Sequence, residues 1–204
     1  MNDLKRLNIL TWIVISALLF TPHLILSAGL IGCSSQFAIY SGLKQEKKEL
    51  NIQKIGVLPF VNESGRRGAA EIVTNTFNTI LFKSGSFVVE EKGNIEKFLL
   101  NEKVKTINMM DTELIKKLGE RLKIDTVIAG AVEEFTGGDL GERLTTPVVA
   151  IRARLIDVRS GKILWMTRYR RSGDDYIIVF GFGQIRSVSA LTKRMVLEMI
   201  ETVK

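Results

Sequence analysis

The sequence predicts an α/β fold of the mixed α+β kind: a mixed β-sheet of about five strands with helices packed on it and an amphipathic helix at the C-terminus. Three observations predict it. Between Ile52 and Phe135, apolar runs suited to strands alternate with stretches whose apolar residues recur at helical spacing. Pro147–Asp175 then reads as a long β-hairpin followed by a polar turn. Finally, Gln184–Val203 places Ile185, Val188, Leu191, Met195, Met199 and Val203 on one helical stripe. The resulting order, βαβααβββα, implies a mixed sheet with helices against it. No internal repeat or low-complexity segment interrupts the 204 residues, so one folded domain is expected.

Met1–Gly32 reads as an export signal, because Lys5 and Arg6 precede an apolar run from Ile9 that ends in small residues before Cys33. Leu30-Ile31-Gly32-Cys33 looks like a bacterial lipobox, in which the cysteine is acylated and becomes the new N-terminus. Cys33 is the only cysteine, so no internal disulfide can form and lipid attachment is its expected role. The competing reading is an uncleaved helix, since Ile9–Gly32 at ~1.5 Å per residue could cross a hydrocarbon core of ~30 Å. Pro22 and His23 oppose it, being costly in mid-helix and near mid-bilayer. The apolar run is nevertheless longer than the usual signal core of about 7 to 15 residues. Ser34 after the cysteine, by the pattern of bacterial lipoproteins, implies an outer-membrane anchor with the domain facing the periplasm. Residues 33–51 form the linker, too poor in apolar residues to fold alone. As a flexible coil it spans about 25 Å.

The folded domain is assigned to residues 52–204. Ile52–Val61 reads as one strand buried on both faces. Asn62–Gly68 turns into a helix from about Ala69 to Lys83, with Ala69, Ile72, Val73, Phe77, Ile80 and Leu81 on its apolar stripe and Gly85 as C-cap. Arg66 and Arg67 beside that N-terminus allow an anion site, against ordinary capping by Asn62 or Ser64. Phe87–Glu91 is a second strand, Ile95–Leu100 begins a helix, and Asp111-Thr112-Glu113 caps a third helix carrying Leu114, Ile115, Leu118 and Leu122. Asp125–Phe135 is the third strand.

In the hairpin, Arg159-Ser160-Gly161 makes the turn, Gly161 taking the left-handed conformation. That register sets Leu155 opposite Trp165 and Ala153 opposite Thr167. One face then carries Val149, Ile151, Ala153, Leu155, Ile163 and Trp165. The other has Ile156, Leu164 and Met166 near the turn and Arg152, Arg154, Arg168 and Arg170 beyond them. These four arginines are a candidate contact for an anionic partner or a neighbouring subunit. Otherwise they are a solvated face partly paired with Glu133 or Glu134.

Ile55–Asn62 together with Ala153–Val158 and Gly161–Trp165 resembles the lipoproteins related to the curli secretion component CsgG, over roughly Ile52 to the C-terminus. That resemblance implies a secretion or assembly role. The pore-forming relatives place membrane hairpins at positions corresponding to Thr136–Thr146 and Ser172–Gly183, but each segment here is roughly a dozen residues, too short for two strands of ~9 to 11. A trimmed form without its own barrel is similar to the ring-forming lipoprotein of Pel exopolysaccharide export, and more distantly to lipoprotein activators of penicillin-binding proteins. Within Tyr176–Gly183, Ile177–Phe180 and Phe182 are more apolar than a free loop requires. Phe180 and Phe182 are therefore candidate membrane or oligomer contacts, with a buried edge strand as the rival reading.

The sequence carries no reactive constellation. The sole histidine, His23, lies in the signal and Cys33 is taken by the lipid, so the domain lacks the commonest general base, thiol nucleophile and metal ligands. Glu133 and Glu134, adjacent on a strand, are expected on opposite faces and form a poor acid/base couple. Gly181-Phe182-Gly183 lacks the third glycine of a dinucleotide fingerprint. No enzyme, metal or cofactor is expected. The formal charge is +7, and removing Met1–Gly32 takes Lys5, Arg6 and Asp3 and leaves +6, which suits lipid headgroups, acidic polymer or an acidic protein face. No nucleic-acid motif is present, so nucleic acid is not an expected partner. The reading is an outer-membrane lipoprotein acting as a non-enzymatic export or assembly accessory, expected to be a homo-oligomeric ring. Its alternative is a monomeric module regulating an envelope enzyme.

Overall fold

A computed structural model describes residues 52–105, 107, 110–137 and 145–203. The signal segment, Cys33, the linker and much of the first loop compared with a membrane hairpin lie outside these residues.

The described residues form a mixed α/β fold with one six-stranded sheet and four α-helices. The expected first strand is two short ones, β1 (Lys54–Val57) and β2 (Val61–Asn62). Pro59 lies in the gap, and a residue without an N–H cannot donate to a ladder. Both pieces run parallel to β4 (Thr126–Thr136). On its other side β1 pairs in parallel with β3 (Val88–Val89). β5 (Val148–Asp157) and β6 (Ile163–Ser172) add antiparallel strands, giving the order β3-β1-β4-β5-β6 with β2 also on β4. The hairpin has the expected register: Ala153 faces Thr167 and Leu155 faces Trp165, and Gly161 sits at φ 68° in the turn. A register shift beyond Leu155 pairs Ile156 with Ile163.

Two cores flank this sheet. On one face, α1 (Ala69–Ser84) and α4 (Val188–Glu201) bury Val73, Phe77, Leu81, Leu191, Met195 and Met199 against Ile55, Ile128, Ile151 and Leu155. Phe60 and Phe77 stack there with ring centroids 4.9 Å apart. On the other face, α2 (Lys92–Asn101) and α3 (Thr112–Leu122) bury Ile95, Phe98, Ile115 and Leu118 against Val127, Ile156 and Val158. α2 starts at Lys92, three residues before Ile95, so Gly93 and Asn94 lie inside its first turn. Asp111 caps α3 by accepting from the Leu114 N–H at 2.8 Å. The α1 N-terminus has no side-chain cap: Gly68 occupies that position, while Asn62 donates to the Arg66 carbonyl and accepts from Ser64, holding the preceding turn.

The sheet is pinned by a buried charge. Glu90, 6% exposed, ion-pairs with Lys54, whose ammonium also donates to the Leu122 carbonyl at 3.0 Å. Burial pushes the Glu90 carboxyl up, but hydrogen bonds from Lys54 and Asn94 and the Lys54 charge outweigh it and leave the net shift downward. Asp125 accepts the backbone N–H groups of Gln53 and Lys54 at 3.1 and 2.9 Å, tying the start of β1 to β4.

Candidate functional site

α2 and α3 cover only the end of their sheet face nearest the β5–β6 turn. Farther along, Arg152, Arg154, Met166, Arg168 and Arg170 form an exposed surface above Ala131, which is itself buried, as is Ala129 in the α2–α3 core. The register places the four arginines together, since Arg152 is opposite Arg168 and Arg154 opposite Met166 on alternate residues of adjacent strands.

Three of the four are already paired. Arg168 Nε donates to Glu133 at 2.6 Å, and Arg152 donates to the other oxygen of Glu133 and to Glu63, each at 3.2 Å. Arg170 grips both oxygens of Glu134, at 2.8 and 3.3 Å. Glu133 and Glu134 thus share a face, contrary to simple alternation. The cause is a bulge: Val132 is opposite Ile151 and Glu134 opposite Ala150, leaving Glu133 as the extra residue. The surface is therefore a ladder of alternating charge, with four guanidinium groups against the three carboxylates Glu63, Glu133 and Glu134. Arg154 is the exception. Exposed beside Met166, it has no carboxylate within ion-pair distance among the described residues.

Beside Arg154 the sheet drops into a groove of about 290 Å³, floored by Ala129, Gly130 and Ala131 and walled by Val61, Ile107 and Met166. The floor is low because small residues occupy it. Gly130 is required for a different reason: a Cβ there would lie 2.2 Å from the Arg152 carbonyl and 2.5 Å from the Phe60 ring.

A second feature follows β6. Gly173–Tyr176 forms a short 3-10 turn closed by a reciprocal pair, in which Ser172 caps the turn and Asp175 accepts the Ser172 N–H at 2.8 Å. Asp174 accepts from Gln184 at 2.6 Å and from Thr146 at 3.1 Å, and Ile185 N–H donates to the Gly173 carbonyl at 3.0 Å. These bonds clamp the base of Ile177–Gly183. The segment is a tight hairpin, with Phe182 N–H donating to the Val179 carbonyl at 2.9 Å and Ile178 N–H to Phe182 at 2.8 Å. Its two central residues, Phe180 and Gly181, both have positive φ, 48° and 81°. Phe180 is 96% exposed, Ile178 81% and Phe182 75%. A buried edge strand is excluded for this segment. Alternation could not reveal the turn, because nothing in the residue type announces a phenylalanine at positive φ.

Among the described residues, no three His, Cys, Asp or Glu side chains stand close enough to hold a metal, and no helix is long and apolar enough to cross a membrane.

No protein-family model and no curated protein matches the sequence. Solved structures share the fold. The chain is similar to PelC from Paraburkholderia phytofirmans, solved as a dodecamer, with 17% identity, 73% of this chain and 85% of that one covered, and a TM-score of 0.50. It is similar also to lipoprotein GNA1162 from Neisseria meningitidis, with 20% identity, 74% and 99% covered, and a TM-score of 0.51. The LpoB C-terminal domain from Salmonella enterica, at 12% identity, 58% and 82% covered and a TM-score of 0.44, is too distant to carry argument. These findings correct the resemblance to lipoproteins related to CsgG, which no family model supports and in whose place PelC and GNA1162 stand as structural neighbours. The residues behind that resemblance, Ile55–Asn62 and the β5–β6 hairpin, build interior strands and a hairpin that unrelated roles can share.

Proposed function

We propose that the protein is a lipid-anchored accessory of the bacterial envelope that works by self-association, as a non-enzymatic subunit of an assembly or export apparatus. The observation that carries this reading is the clamped hairpin, which holds Ile178, Phe180 and Phe182 in solvent. A free loop gains nothing by exposing two phenyl rings, whereas a contact surface does. Two likenesses support it: PelC was solved as a dodecamer, and GNA1162 is a lipoprotein. The lipobox-like Leu30–Cys33 supplies the anchor, and the linker keeps the domain near the membrane, which favours an outer-membrane site facing the periplasm. The four arginines serve the same reading only in part, because Glu63, Glu133 and Glu134 already neutralise most of their charge.

Chemical cross-linking in intact cells tests the proposal. The wild type should give a ladder beyond the dimer in the membrane fraction, and Cys33→Ser should release the domain from that fraction. A wild type that cross-links only as monomer would instead support a regulatory module, and Cys33→Ser protein that still sediments as full-length precursor would support an uncleaved helix.

A further inference from the structure

We infer that the base of the hairpin is a positioning device for self-association: Asp174, Gln184 and Gly173 hold the tip in its contact shape without themselves meeting the partner. The inference rests on the self-association proposed above and adds what readies the contact. Nothing within the tip accounts for its order. Ile177, Ile178, Val179, Phe180 and Phe182 are all exposed, so burial does not hold the segment. Its cross-strand bonds run from the Ile178 N–H to Phe182 and from the Phe182 N–H to Val179, and a two-stranded hairpin by itself is marginal in water. Phe180 works against even that, because a residue with a Cβ at φ 48° is strained. Such strain persists only where the surroundings over-determine the conformation.

The surroundings that do so lie at the base. One end is rooted by Tyr176 and the other by Ile185, both packed against the core beneath α1 and α4, and the Arg194 guanidinium lies 5.7 Å from the centre of the Tyr176 ring. Asp174 joins the two ends by accepting from Gln184 at 2.6 Å, and accepts also from Thr146 of the β4–β5 connection at 3.1 Å. Gly173 lets the chains meet: its N–H donates to the Pro147 carbonyl at 2.8 Å, and a Cβ on it would lie 1.9 Å from the Ile185 carbonyl oxygen. The exposed, strained tip is thus held ready by residues that sit below it. A contact segment ordered before binding avoids the entropy cost of ordering at the interface. Leaving the backbone of even one residue to be ordered on binding weakens affinity by about tenfold.

Hydrogen exchange and solution mass, measured on the same full-length protein in detergent, test the inference. Asp174→Ala removes the bonds to Gln184 and Thr146, whereas Asp174→Asn keeps an oxygen for Gln184 and an amide that donates to the Thr146 hydroxyl. Diluted to single chains, Asp174→Ala should melt with the wild type yet exchange the Ile178 and Phe182 amide protons faster. Its association, read from mass across a concentration series, should be weaker by about tenfold. Asp174→Asn should restore both readings. Gln184→Ala breaks the same bond from its other end and should repeat the Asp174→Ala result, which keeps the test valid if that variant folds poorly. Faster exchange with wild-type association overturns the inference while leaving self-association standing. Unchanged exchange in Asp174→Ala overturns it as well, and weakened association would then mean that the carboxylate itself meets the partner. The same holds if Asp174→Asn restores exchange but not association. A wild type that is monomeric at every concentration overturns the inference and the reading on which it rests.

Discussion

At the scale of single residues, the domain is decided by where charge is paired and where it is left open. Glu90 is buried against Lys54, and its depressed carboxyl fixes the sign of the pH dependence. A folded value below the ordinary 4.5 means that the pair's contribution is complete above that pH and is lost as pH falls below it. Urea melts between pH 7 and 3 should therefore show stability falling below about pH 4.5, with a smaller fall in Glu90→Gln. Lys54→Met leaves the carboxylate buried without its counter-charge, held only by hydrogen bonds from Asn94 and the Glu91 N–H, and should cost about 2 kcal/mol. That is less than the ~3 to 5 kcal/mol of a wholly buried pair, because Lys54 remains 30% exposed. The arginine ladder divides in the same way. Arg154→Glu should leave the melting temperature nearly unchanged, whereas Arg168→Glu sets a second carboxylate against the 16%-exposed Glu133 and should lower stability by about 1 kcal/mol. Equal melts for the two variants would show that the Glu133 bridge contributes nothing.

At the scale of elements, periodicity made most of the fold legible. Helix α1 with its Gly85 cap, the Asp111 cap of α3, the β5–β6 register as far as Leu155–Trp165 and the Leu191, Met195 and Met199 stripe of α4 follow from apolar spacing and turn residues, whereas Ile185 precedes α4 and the shift beyond Leu155 leaves Ile163 exposed. What escaped was set by irregularity. The bulge at Glu133 moved a carboxylate across the sheet, which no alternating pattern encodes. The groove was equally invisible, since Ala129-Gly130-Ala131 reads as an ordinary strand and the groove depends on Val61, Ile107 and Met166 standing beside it. The hairpin was half legible: its apolar content flagged Phe180 and Phe182, but their exposure depends on a turn that strains Phe180. Relieving that strain is a separable test. Phe180→Gly should raise stability by up to about 1 kcal/mol, because a left-handed residue with a Cβ costs roughly 1 to 2 kcal/mol, less the added freedom of glycine in the unfolded chain. It should weaken association all the same. A destabilised Phe180→Gly would mean that the ring packs within the monomer.

At the scale of the whole molecule, a sheet covered fully on one face and partly on the other presents an apolar knob, an apolar-floored groove and a mostly neutralised charge ladder. The fold is shared with PelC, solved as a dodecamer, and with the lipoprotein GNA1162. The most direct measurement is the solution mass of the purified full-length protein in detergent across a concentration series, beside that of Phe180→Ser/Phe182→Ser. Self-association through the hairpin predicts a wild type several times the mass of one processed chain and a folded variant at one chain mass. A wild type that stays at one chain mass at every concentration, or a variant as large as the wild type, would contradict it.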